Sequence, residues 1–164
     1  MKRILLICTA NICRSPMAEG FLKELAVSKS FASNWHIESA GTWGQPGLPA
    51  AAGSLNAMQA RNINISQHRS RIVSAALIAE ADLILTMESG HKEALQIEFP
   101  EKRDCVYQLS ELIGEEFDIE DPIGQSLQRF ERTANEIKDL LIRGLPTIAS
   151  WLEAGNGNKN PASK

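Results

Sequence analysis

Five residues separate Cys8 from Arg14 in the run Ile4-Leu5-Leu6-Ile7-Cys8-Thr9-Ala10-Asn11-Ile12-Cys13-Arg14-Ser15-Pro16. A thiol and a guanidinium at that spacing, where an apolar strand empties into a turn that opens a helix, fit attack by sulfur on a phosphate monoester. A phosphoryl group carries nearly two negative charges, so its site needs several donors converging from one side. A helix N-terminus supplies backbone N–H groups and positive potential. Arg14 can lay its planar fork on two phosphoryl oxygens, where Lys would offer only a point charge. The same field favours the ionised form of a thiol. Cys8 is therefore expected to be a thiolate nucleophile, with the backbone of Thr9, Ala10, Asn11, Ile12 and Cys13 forming the phosphate-binding loop. Ser15 and Pro16 read as N-cap and first helical residue, and Asn11 as the loop position in a left-handed turn, which Asn tolerates better than most residues. The bland alternative is a buried, inert cysteine closing a core strand, with Arg14 solvated.

Expelling an alkoxide or phenoxide from phosphorus without a proton is slow, so a general acid is required. Asp121-Pro122 is the best candidate, against the alternative of an ordinary Pro-containing turn; Asp118 and Glu120 read as solvent-facing loop charges. His36, His68 and His91 lack ligand spacing with cysteines or paired carboxylates, so no metal site and no cofactor is expected.

The elements that must position these residues alternate along the chain. Strand-like runs at Ile4–Cys8, Trp35–Ala40, Ala81–Thr86 and Cys105–Leu109 are separated by helical patterns at Pro16–Lys29, Pro49–Arg61, Ile72–Ala79 and Glu88–Phe99, and Leu127–Arg143 follows the last strand. This order predicts an α/β fold: a four-stranded parallel twisted sheet with helices on both faces and the phosphate-binding loop after the first strand. Ligands of such sheets bind at the carboxyl ends of the strands, where Cys8 lies. Gly144 and Pro146 predict a kink or break before Trp151.

Composition fits one domain. With 164 residues, 43% of them hydrophobic and 23% charged, the chain can bury one core but not two. The expected domain spans residues 1–153, with 154–164 as a disordered tail. A net charge of −3 offers no basic stripe for nucleic acid, and no run is long and apolar enough to predict membrane insertion. Three cysteines, one in the reactive loop, do not make a secreted disulfide framework and point to the cytoplasm.

The wording of the loop, Cys8 through Gly20, resembles the low-molecular-weight protein tyrosine phosphatases. Ser39-Ala40-Gly41-Thr42, His68-Arg69-Ser70-Arg71, Ala81 through Met87 and Asp121-Pro122 resemble further segments of that family, in family order, so the likeness covers nearly the whole chain. The resemblance implies a cofactor-free hydrolase with a phosphocysteine intermediate on Cys8, Asp121 as acid and then base, and Asn11, Ser15, Ser39 and His68 as a network fixing the loop. It implies phosphotyrosine-containing protein substrates and, in bacteria, a cognate tyrosine kinase. The second loop cysteine of the family can form a reversible disulfide with the nucleophile; Cys13 has that place, or is small core filler. Ala10 stands where the usual loop has Gly. Ile123 stands where many relatives carry an aromatic that stacks on the substrate ring, and Trp43 either supplies the missing aromatic face or is ordinary packing. Ile12 resembles the tyrosine phosphatases rather than the protein-arginine phosphatases of the superfamily, which carry Thr there. The arsenate reductases sharing the C-x5-R-S loop need two further cysteines near the third strand's exit, and Thr86 to His91 contains none.

Overall fold

Strand β1 (Lys2–Cys8) is apolar at every position from Ile4 to Ile7 because both of its faces are covered. Ile4, Leu6 and Cys8 face a core built with Phe21 and Leu22 of α1 (Arg14–Ser28) and with Ile137 and Leu141 of α5 (Leu127–Ala154). Leu5 and Ile7 face the opposite layer, with Ile78 of α3 (Ala75–Glu80) and Leu95 of α4 (Ser89–Glu98). This computed structural model describes residues 1–31 and 33–155; most of the expected tail, 156–164, lies outside them.

The other strands are β2 (Trp35–Gly41), β3 (Leu83–Thr86) and β4 (Val106–Gln108). The sheet runs β2-β1-β3-β4 and every pairing is parallel. The α/β class, the four parallel strands and the two helical layers all agree with the alternation read in the sequence. Because β1 is flanked by β2 on one side and β3 on the other, the connections leave it in opposite directions, which opens a crevice at its carboxyl end. Helix α2 (Ala52–Gln59) closes the α1 layer through Ala57 and Met58.

Two local expectations fail. Helix α1 begins at Arg14, one residue before the expected cap, and no side chain caps it. The Ser15 hydroxyl is committed elsewhere, to Asn11 and Cys8, so the first turn keeps its N–H groups. Helix α5 also runs unbroken from Leu127 to Ala154 with Pro146 inside it. Pro146 and Ile142 both lie on the exposed side of this helix, so the carbonyl that loses its partner can turn to water, while Leu145, Ile148 and Leu152 hold the last turns in the core. Tertiary packing thus overrides the local break.

Gly144 is required by contact rather than by conformation: a Cβ there would stand 2.5 Å from Leu112 Cβ. Alanine would gain about 1 kcal/mol of helix propensity, but overpacking typically costs about 1–3 kcal/mol. Gly144→Ala is expected to lower stability by about 1 kcal/mol in urea unfolding; a midpoint at or above the parent value would show that Leu112 yields freely.

Candidate active site

β1 delivers Cys8 to the crevice, and the chain then reverses through Asn11, whose φ of 58° is left-handed. Ala10 is not among the positive-φ residues, so its Cβ causes no backbone strain. The space is made across the loop at Gly44, where a Cβ would come within 3.3 Å of Ala10 Cα and Cβ. Gly41 is needed for a close approach: a Cβ there would lie 2.6 Å from the Thr9 carbonyl oxygen.

The loop is held by a chain of hydrogen bonds with a defined direction. Glu19 Oε2 accepts from Ser39 Oγ at 2.5 Å, so Ser39 must in turn accept from Asn11 Nδ2 at 2.9 Å. The same Asn11 amide donates to Ser15 Oγ at 2.8 Å, leaving the Ser15 hydrogen free for Cys8 Sγ, 3.0 Å away. Asn11 Oδ1 accepts from the Arg71 backbone N–H at 3.0 Å, and the Asn11 carbonyl accepts from His68 Nε2 at 2.7 Å. Asn11, Ser15, Ser39 and His68 are therefore brought together. The Arg71 side chain reinforces them by donating from Nε to the Ser39 carbonyl at 2.8 Å and pairing with Glu38 at 2.6 Å.

Arg14 is fully buried. One terminal nitrogen is anchored by Glu88 and by the Ile119 carbonyl at 2.6 Å. The other donates to Thr9 Oγ1 and to Asp121 Oδ2, each at 3.3 Å. Nε has no partner among the described residues. A buried guanidinium N–H without an acceptor is costly, and two phosphoryl oxygens, one on Nε and one on the looser nitrogen, would satisfy it in a bidentate geometry.

The acid loop reaches this point because it is stitched to the sheet. Ile119 N donates to the Met87 carbonyl at 2.9 Å, and Ser110 Oγ contacts both N and O of Phe117 at 3.0 Å. Asp121 follows two residues later, its second oxygen accepting from Ile123 N at 3.1 Å. Asp118 is more than a solvated charge: its carboxylate accepts from Ser89 N at 2.7 Å, at the start of α4, and from Gln108 Nε2 at 2.8 Å. Glu120 pairs with Arg129. Trp43 is 76% exposed, which excludes core packing, and its backbone N–H bonds the Thr9 carbonyl at 2.9 Å, beside the loop. Ile123, 51% exposed, stands next to Asp121. Cys13 and Ile12 complete the loop; burial, followed by the charge of Asp121, pushes the Cys13 thiol up to about 12.

The sequence reading missed Glu88, His91, Glu19 and Arg71. Glu88 and His91 lie just past the carboxyl end of β3, beside the end of β1 where Cys8 stands, and the rule that placed Cys8 at a strand's carboxyl end also points to them.

An α/β crevice with a thiol, a buried guanidinium and a run of backbone N–H groups defines an oxyanion-handling protein. The model of the low molecular weight phosphotyrosine protein phosphatases matches residues 3–150, and the chain belongs to that family. It is 36% identical to the probable low molecular weight protein-tyrosine-phosphatase EpsP of Ralstonia nicotianae, over 93% of this chain and 94% of that one. It is 34% identical to a protein-arginine-phosphatase of Bacillus subtilis, over 84% and 91%. The low molecular weight protein tyrosine phosphatase structure from T. tengcongensis superposes with a TM-score of 0.85 at 33% identity, covering 90% of this chain and 99% of that one.

Proposed function

We propose that this protein is a protein tyrosine phosphatase that works through a phosphocysteine. Cys8 attacks phosphorus as the P–O bond to the tyrosine ring breaks, and Asp121 gives its proton to the departing oxygen. Water then attacks the phosphocysteine while Asp121 takes a proton, the S–P bond breaks, inorganic phosphate leaves, and the Ser15 hydroxyl donates to the returning thiolate. Arg14 and the loop N–H groups hold the equatorial oxygens throughout. The observation that carries this reading is the buried Arg14, anchored on one side by Glu88 and Ile119 with its Nε unpaired among the described residues.

An aromatic substrate is supported by two exposed apolar side chains whose backbones bond the site, Trp43 at Thr9 and Ile123 at Asp121, and a ring ester can reach a buried sulfur that a phosphoserine cannot. We assign the domain to residues 1–153 and its setting to the cytoplasm, acting on phosphotyrosine-containing proteins opposite a cognate tyrosine kinase. No described helix is long and apolar enough to cross a membrane. The similarity to a protein-arginine-phosphatase makes phosphoarginine the second substrate to test. Matched phosphotyrosine, phosphoarginine and phosphoserine peptides, assayed side by side with chelator present, should rank with phosphotyrosine ahead by about 10-fold or more in kcat/KM, the scale set by differential contacts of ~1–3 kcal/mol. A lead for phosphoarginine would transfer the assignment to that class, and a lead for phosphoserine would contradict the recessed-sulfur reading.

A further inference from the structure

The structure assigns to His91 a positioning role: through Thr9 it sets the direction of a hydroxyl donor and the edge of Arg14 that receive the phosphoryl group. This rests on the reading of Cys8 and Arg14 as the reacting pair. His91 lies in the first turn of α4, 8% exposed, with Nε2 3.0 Å from Thr9 Oγ1. Thr9 Oγ1 also lies 3.3 Å from an Arg14 terminal nitrogen. A guanidinium only donates, so Thr9 accepts that bond. Its remaining lone pair and its single hydrogen are then divided between His91 and the ligand space.

The imidazole decides how. Nδ1 is buried with no hydrogen-bond partner among the described residues. Were the proton on Nδ1, a buried N–H would be orphaned; on Nε2, only a lone pair goes unpaired, the more tolerable defect. The neutral ring with its proton on Nε2 therefore donates to Thr9, which accepts twice and has its own O–H released to donate to a phosphoryl oxygen. Protonating the ring would again place an N–H on the buried Nδ1. Burial holds the His91 pKa below its ordinary value, the Arg14 charge acts in the same direction, and Glu88, Asp118 and Asp121 oppose it. The contact spans 82 positions of sequence.

The test is a double-mutant cycle on the full chain with p-nitrophenyl phosphate and inorganic phosphate as probes. His91→Leu should lower kcat/KM about 10-fold and weaken competitive inhibition by inorganic phosphate in parallel. His91→Gln, whose amide reaches the place of Nε2, should recover to within about threefold of the parent. In a Thr9→Val background, His91→Leu should cost less than about twofold, because the group it acts through is gone. Losses that multiply in the double variant, or a Gln variant as poor as Leu, would overturn the assignment. If the Leu variant does not fold, the same cycle run with His91→Gln and His91→Asn decides, since Asn reaches only the Nδ1 place and should behave as the defective partner. An inactive parent protein would instead refute the site reading itself, and is thereby distinguished from failure of the His91 role.

Discussion

Cys8→Ser should abolish turnover of aryl phosphates, with a loss on the order of 10⁴-fold or more, while binding of a phosphate analogue such as tungstate survives within about threefold. The two expectations separate because different atoms carry them. Binding relies on the loop N–H groups, on Arg14 and on the relay that shapes the loop, and none of these uses sulfur: Asn11 is held by Arg71, His68 and Ser39 whether or not Cys8 is present. Bond making relies on an ionisable nucleophile, and among the described residues a serine hydroxyl at this place would have no hydrogen-bonded base. The hydroxyl that bonds Cys8, Ser15 Oγ, stands as a donor because it already accepts from Asn11. Steady-state rates with isothermal titration of tungstate measure both. Retained activity in the Ser variant would remove the phosphocysteine; loss of binding together with activity would mean that Cys8 shapes the loop rather than reacting.

How much of this was legible beforehand depends on the range over which each feature is determined. The nucleophile, the guanidinium and the left-handed Asn11 sit within one short loop whose conformation is set locally, so residue types and spacing were enough to place them. The two-faced burial of Ile4 to Ile7 was likewise written in an uninterrupted apolar run. What escaped was set by distant partners. Of Ser15 only the helix-cap role failed: the family resemblance already implied its network with Asn11, but a Ser-Pro pair also reads as a cap, and the one hydroxyl is taken up by Asn11 and Cys8. Pro146 looked like a break because nothing local announces that Leu145, Ile148 and Leu152 are buried against the sheet layer. Glu88 and His91 meet Arg14 and Thr9 across the β1–β3 pairing, a juxtaposition of strand ends. The acid loop shows the mixture: Asp121 was marked by its Pro122, but its delivery depends on Ile119 bonding to Met87 and on Arg14 bonding to Ile119.

That delivery makes Asp121 serve two masters, and the leaving group tells them apart. Asp121→Asn preserves the side chain's volume and its acceptor for Ile123 N, but removes both the transferable proton and the charge that faces Arg14 at 3.3 Å. If the carboxyl acts as acid, phenyl phosphate hydrolysis should fall by roughly 10²–10⁴-fold. An ester with a strongly electron-withdrawing ring should fall far less, because its phenoxide departs without help. If Asp121 matters only by holding the guanidinium, both esters should suffer alike, since Arg14 grips the same phosphoryl oxygens in each. A flat loss across leaving groups would therefore strip Asp121 of its proton-transfer role and leave it as an orienting charge. A steep dependence would mean that the ion pair with Arg14 is a resting contact which substrate displaces, freeing the carboxyl to swing toward the bridging oxygen as the phosphoryl group takes over the guanidinium.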